Sequence, residues 1–376
     1  MRINIVKPIF PKLEEIKDKF ASCLQSGLVT NNSKNVREFQ NRLKEFLASK
    51  YEPLVFCNGE MALYNLILAW KFKMGYDFYE RFRVIVPSFT FSGTVNAIVS
   101  CNLEPVFCDV DETLTIDLSK LPMGASNIKM IVPVAVYGNL PNIEGIIEVS
   151  RRENLTVVFD NAPAFGSKYK GKYPAEYNIE EIYSFHATKV FSSMEGGCAI
   201  TNKKDIFNRL CELRDFGQYE KKIGDVALPG LNSKMQEISA IIGIENLQKL
   251  NNVLENRKKV ITKYNNFFNE LENKEYLKRM KVRDEVECIY LYYPIILSKG
   301  TADDFIEFLA NYGISSRRYY TLVHMLKYYK DRFLCGDLSY SEKLANRIVA
   351  LPLHSYMDEG EIGYLFEKVE EYFKKK

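Results

Sequence analysis

From about residue 55 to 200, short runs of Val, Ile and Phe alternate with stretches whose apolar residues recur every three or four positions. "RVIVPS" (83–88), "EPVFCDV" (104–110), "KMIVPVAVYG" (129–138) and "LTVVFDNA" (155–162) read as buried strands, each ending in a polar or turn residue. "TVNAIVS" and "NIEGIIEVSRREN" have helical spacing, and "YSFHA" (183–187) and "GCAITN" (197–202) add two strands. Buried strands alternating with helices predict an α/β fold: a large domain with a mainly parallel mixed sheet sandwiched by helices.

After Asn232 the apolar positions Ile238, Ile241, Leu247, Leu250, Leu254, Ile261, Tyr264 and Phe268 predict one long helix. Beyond residue 275 a strand-like "CIYLYYPIIL" (288–297) is followed by helical "ADDFIEFLANYG" and "DEGEIGYLFEKVEEYFKK". The division expected is a large domain over 1–245 and a smaller C-terminal α+β domain over 246–376, linked by the long helix.

Length and charge narrow the function. With 376 residues, 47% hydrophobic and a net charge of +3, the chain can bury a sizeable core and offers no electrostatic case for nucleic acid or a membrane surface. No run of about 18 apolar residues occurs, and Lys7 and Lys12 interrupt any leader pattern, so a cytoplasmic protein is expected. The eight cysteines lack a C-x-x-C pair and there are three histidines, which speaks against a metal site.

In α/β sheets ligands bind at the carboxyl ends of strands. That rule selects Asp160, at the end of "TVVFD", together with Ser184 and His186. Lys189, in "SFHATKVFSSMEGG" (184–197), has apolar and small neighbours rather than charged company. A buried lysine amine shifts toward the neutral, nucleophilic form, and a strand-end carboxylate can hold a pyridine nitrogen protonated. Together they suggest pyridoxal 5'-phosphate. Asn58-Gly59 before the helical "EMALYNLIL" offers free amides to its phosphate. Taken singly, each has a plain alternative: a strand-end Asp as a turn residue, a surface Lys, an Asn-Gly cap.

In their order these segments resemble the DegT/DnrJ/EryC1/StrS family of pyridoxal-phosphate-dependent nucleotide-sugar aminotransferases, which have the aspartate aminotransferase type of fold. The resemblance rests on "PSFTFSGTVNAI", "PVFCDVDETLTID", "VPVAVYGNLPNIEGI", "VVFDNAPAFGSKYKGK", "SFHATKVFSSMEGG", "GLNSKMQEISAIIG" and "LPLH". It implies that Lys189 bonds to the cofactor and later moves a proton, and that Asp160 pairs with the ring nitrogen. Phe91, or Thr90 beside it, would lie along the ring. Asn58, Gly59, Glu60 and Ser184 would surround the phosphate, and Asn232 would reach the cofactor of a second subunit, implying a homodimer with active sites shared across the interface. His324, Glu195 and His186 would face the substrate.

The reaction implied is transamination of a nucleotide-linked keto sugar with L-glutamate as donor. The "SFH-x-TK…EGG" form is similar to members that aminate C4 of a 4-keto-6-deoxy sugar; those acting at C3 tend to have Asp-Gly-Gly. Such products feed surface polysaccharides, O-antigen and lipopolysaccharide among them. Dehydratase relatives carry a histidine where this chain has Lys189, and a pyridoxal-phosphate-binding regulatory protein is the non-enzyme alternative. Three positions depart from the family pattern: Glu60 at the phosphate turn, Pro163 where a Gln or His is usual, and Met194 in place of a glycine. A carboxylate at 60 would be expected to point away from a phosphate.

Overall fold

The computed structural model describes residues 1–218 and 224–375. Its main sheet consists of two ladders joined through one strand. Thr156–Val157 pairs with Ile128–Ile131, and the continuation Phe159–Asp160 pairs with Glu181–Ser184. Across the sheet the strands run Leu54–Phe56, Gly197–Ile200, Glu181–Ser184, 156–160, Ile128–Ile131, Arg83–Pro87 and Glu104–Cys108. Every pairing is parallel except those of Gly197–Ile200, which runs against both neighbours.

The two-residue period of the strands divides the core. Leu54, Phe56, Ile182, Ala199, Val84, Val86 and Met130 pack on one side with the helices Gly59–Lys73, Ser92–Ser100 and Lys204–Arg214. Val55, Tyr183, Cys198 and Ile200 face the helices Lys34–Phe46 and Glu237–Asn273 on the other. Both faces are covered, so nearly every strand residue is buried and the runs are continuously apolar. Gly59–Lys73 is apolar almost all round for the same reason; its buried Lys71 donates to the carbonyls of Phe78 (2.9 Å) and Cys101 (3.0 Å).

The long helix Glu237–Asn273 belongs to two cores. Ala240, Ile244, Leu247, Leu250 and Leu254 pack with the sheet, whereas Val260, Ile261, Tyr264, Phe268 and Leu271 pack with the C-terminal elements. Those elements are an antiparallel sheet of Leu277–Arg279, Tyr293–Leu297 and Ile348–Leu351, with helices Ala302–Asn311 and Glu359–Lys374. Ile3, from the start of the chain, joins this second core and bridges Ile314.

Two expected strands are shorter than their apolar runs. In "KMIVPVAVYG" the regular strand ends at Ile131, a single parallel bridge follows from Val134 to Asp160, and Val136–Gly138 forms a tight 3-10 turn with Tyr137 at a φ of 57°. In "CIYLYYPIIL" the strand begins at Tyr293, because the guanidinium of Arg257 takes the carbonyls of Ile289 (2.7 Å) and Leu291 (2.9 Å).

Candidate active site

A cavity of about 510 Å³ opens at the carboxyl ends of the parallel strands. Asp160 ends the strand Phe159–Asp160, and Ser184 ends its neighbour Glu181–Ser184. Lys189 follows in the turn after Ser184, its amide bonded to the carbonyl of His186 (2.9 Å). All three line the cavity, as do Asn58, Gly59, Glu60, Thr90, Phe91, Pro163, His186 and Glu195.

Asp160 is 4% exposed and is held from two directions. Thr94 Oγ1 donates to Oδ2 (2.7 Å) and the Ala162 amide donates to Oδ1 (3.0 Å). Burial raises its pKa, while these two donors and the charge of Lys189 oppose the rise. For Lys189 burial acts the other way and lowers the amine, against the pull of Asp160. No acceptor among the described residues takes a hydrogen bond from the Lys189 amine. An amine without an acceptor, on a half-buried side chain, and a buried carboxylate without a salt-bridge partner face one cavity, an arrangement that suits a ring with an aldehyde and a protonated nitrogen.

The opposite end suits a phosphate. Asn58 caps the helix Gly59–Lys73, its Oδ1 accepting from the Met61 amide (2.8 Å), so its side-chain oxygen is committed to the helix. The first-turn amides of Gly59 and Glu60 have no acceptor within the helix. Backbone must approach closely here: a Cβ on Gly59 would lie 2.6 Å from Ser184 Cβ, and one on Gly197 would lie 2.6 Å from Gly59. Glu60 lines the cavity, its Oε2 3.6 Å from where a Gly93 Cβ would be. Its carboxyl is raised by burial and by Asp160, with a hydrogen bond to Asn96 opposing.

Met194 adopts a φ of 71°, the left-handed conformation in which a glycine costs nothing and an L side chain costs about 1 kcal/mol. Its side chain is directed outward and is 48% exposed. Next to it, Glu195 Oε1 lies 3.5 Å from His186 Nε2, and His186 Nδ1 is paired with Thr188 Oγ1 (2.8 Å).

One residue expected to face the substrate lies elsewhere. His324 is not in the cavity lining: its Nδ1 meets Ser88 Oγ, its Nε2 is 3.6 Å from Glu342 Oε1, and its ring packs against Phe107. Asn232, expected at the cofactor of a second subunit rather than in this cavity, is exposed and bridges Asp215. Conversely, the wall formed by Tyr292, Tyr319, Tyr320 and Arg317 was not anticipated. Tyr320 stacks on Tyr137 at 5.5 Å and approaches Phe91 at 6.3 Å, and Arg317 donates to the Tyr319 hydroxyl (2.6 Å). Thr94 was missed too, although it lies one helical turn from Thr90 in "TFSGT".

Fold and site define a pyridoxal-phosphate-dependent aminotransferase, and comparison with known proteins agrees. A model of the DegT/DnrJ/EryC1/StrS aminotransferase family matches residues 12–370, and the chain belongs to that family. It is 27% identical over 386 residues to a dTDP-4-amino-4,6-dideoxy-D-glucose transaminase of Shigella dysenteriae, covering 98% of both chains. It is also 27% identical to a GDP-perosamine synthase of Escherichia coli O157:H7, with 96% of each chain covered. Among solved structures, Helicobacter pylori PseC, an aminotransferase involved in the biosynthesis of pseudoaminic acid, superposes over 100% of both chains with a TM-score of 0.87 at 23% identity. The chain is therefore a pyridoxal-phosphate-dependent sugar aminotransferase.

Proposed function

We propose that this enzyme transfers the amino group of L-glutamate to C4 of a nucleotide-linked 4-keto-6-deoxy sugar, as a cytoplasmic homodimer supplying surface polysaccharide synthesis. The observation that carries the reading is the facing pair of Lys189 and Asp160 in one strand-end cavity. Bound there, pyridoxal phosphate supplies an electron sink for the electrons left when a substrate carbon loses its proton. Lys189 binds it and, once released by substrate, takes that proton on Nζ and returns it; an amine lowered by burial is suited to both directions. Asp160 holds the ring nitrogen's positive charge. The amides of Gly59 and Glu60, with Ser184, hold the phosphate, and Phe91 and Thr90 lie along the ring. Glu195 and His186 meet the sugar. His324 is left out of this set.

Support for C4 comes from the Glu-Gly-Gly form of the lysine segment and from a relative named for a 4-amino-4,6-dideoxy sugar. The relatives' names carry both dTDP and GDP, so the nucleotide is left open. The dimer is supported by exposed apolar side chains: Phe91, Met194, Phe216 and Leu231 are each 47–59% exposed. Exposed apolar side chains of this size call for cover, and the exposed Asn232 next to Leu231 would reach a second subunit's phosphate.

The test is the absorption spectrum with added pyridoxal phosphate, before and after L-glutamate, for wild type and Lys189→Ala. A visible band that needs Lys189 and is bleached by glutamate is expected. The loaded enzyme is then offered keto sugars on dTDP, UDP and GDP, and the position of the new amine is read by NMR. A band that glutamate leaves untouched overturns the donor assignment, and an amine at C3 overturns the regiochemistry.

A further inference from the structure

A second, smaller cavity lies behind the first. It measures about 20 Å³ and is lined by Lys7, Thr188, Lys189, Arg257, His354 and Ser355 with a few apolar side chains. Thr188, Lys189 and Leu291 line both cavities, so this one backs directly onto the lysine turn. We propose that it binds one monovalent anion of chloride size, held by Arg257, Lys7, His354 and Ser355.

The first argument is charge. Arg257 is 4% exposed and has no carboxylate partner among the described residues. Its Nε donates to the carbonyls of Ile289 (2.7 Å) and Tyr290 (3.1 Å), and its Nη2 to those of Tyr290, Leu291 (2.9 Å) and Leu353 (3.0 Å). Carbonyl dipoles solvate that charge without neutralising it, and Nη1 has no recorded acceptor. A buried cation lacking a counter-charge is costly. Lys7 adds a second positive charge at the same cavity. No carboxylate lines it. Those that His354 senses, Glu361 and Asp358, are engaged in each other's amides, Asp358 Oδ1 accepting from Glu361 N (2.8 Å) and Glu361 Oε2 from Asp358 N (3.1 Å).

The second argument is unmet hydrogen bonding. His354 Nδ1 and Ser355 Oγ are buried with no partner, in residues 5% and 4% exposed. Buried polar atoms are nearly always paired. Burial, with Lys7 and Arg257 beside it, lowers the His354 pKa to about 4, so the ring is neutral and can present Nδ1–H to the cavity. A guanidinium, an ammonium, a hydroxyl and an imidazole N–H are all donors. A water would satisfy some of them but would bring two protons of its own into a positive pocket; an acceptor-only anion brings none. The volume exceeds the roughly 10–15 Å³ that a single water-sized guest requires.

The inference does not depend on the reaction, and its test uses the cofactor-loaded protein without turnover. Crystals grown in sodium bromide are expected to give an anomalous peak within hydrogen-bonding reach of Ser355 Oγ and Arg257 Nη1. In solution, replacing gluconate by chloride at equal ionic strength is expected to raise the melting temperature by about 2 °C when the anion is about tenfold over its Kd. Ser355→Ala and Lys7→Met are expected to lose that response while melting as wild type does in gluconate. A water without anomalous signal at the site overturns the proposal. So does a chloride response that is absent from wild type or survives in both variants.

Discussion

Asp160 and Glu181 are buried carboxyl groups on paired strands, and the structure treats them differently. Ladder register sets Asp160 beside Ile182 and Phe159 beside Glu181, so the two acids project from opposite faces of the sheet. Asp160 receives two donors and the field of Lys189, and it faces a cavity. Glu181 is sealed in the core, where Asn161 Nδ2 donates to Oε2 (2.7 Å) and burial pushes its pKa to about 8. Burial, with the charge of Glu180 beside it, therefore keeps this carboxyl protonated near neutrality against its donors Asn161 and Tyr183. Burial raises Asp160 as well, but there the charge of the facing Lys189 amine joins the two donors in opposing it, an influence Glu181 lacks.

That contrast can be broken at Asp160 first. Asp160→Asn keeps the shape and removes the charge, replacing a charge-assisted contact by a neutral one. The half-reaction with glutamate is expected to slow about 100-fold with melting unchanged, by stopped-flow and calorimetry. A rate within twofold of wild type would remove Asp160 from the role given to it.

Thr94→Val takes away one of the two donors without changing volume. The carboxylate form loses support, so the Asp160 pKa rises further and the acid limb of the kcat/KM profile moves to higher pH. A loss of about tenfold at neutral pH is expected. An unmoved limb with a lowered plateau would mean that Thr94 only packs.

Glu181→Gln tests the other acid through stability. A carboxyl raised in the folded state keeps its proton while the unfolded chain loses one, so the folded state's relative stability falls as pH rises from about 4.5 to about 8 and then levels off. Glutamine can still accept from Asn161 and does not titrate. The variant's melting temperature is expected to lose this decline and to exceed that of wild type above pH 8.

Glu60→Gln should have the smallest effect. The residue is exposed as a whole and water screens its carboxyl, so removing its charge is expected to tighten cofactor binding only about threefold, measured by fluorescence titration. A change of a hundredfold would place the carboxylate against the phosphate.

Much of this was legible in the residue order. The alternating apolar runs and helices predict the α/β sheet, and Asp160 and Ser184 stand at strand ends because strand runs terminate there, with Lys189 in the turn that follows. Leu54–Phe56 escaped notice because three residues carry too little pattern, though its pairing with Gly197–Ile200 closes one edge of the sheet. The aromatic wall was equally hidden. "LYYP" and "RRYYT" show tyrosines in pairs, but nothing local says that Tyr292 and Tyr320 share a cavity with Phe91 from some 200 residues earlier. His324 followed a motif in the sequence, yet its ring is turned to Ser88 and Glu342.

Sequence by itself determined the periodicities, the apolar setting of Lys189 and the glycine at 59, since these depend on neighbours within a turn or a strand. Tertiary structure alone decided which groups share a cavity and what protonation each prefers. A pKa depends on burial and on charges within a few ångströms, and residues that close in space come from strands and loops far apart in the chain. Asp160 and Glu181 are both acids on apolar strands in the sequence. Which one faces the ligand was settled by the register of two paired strands.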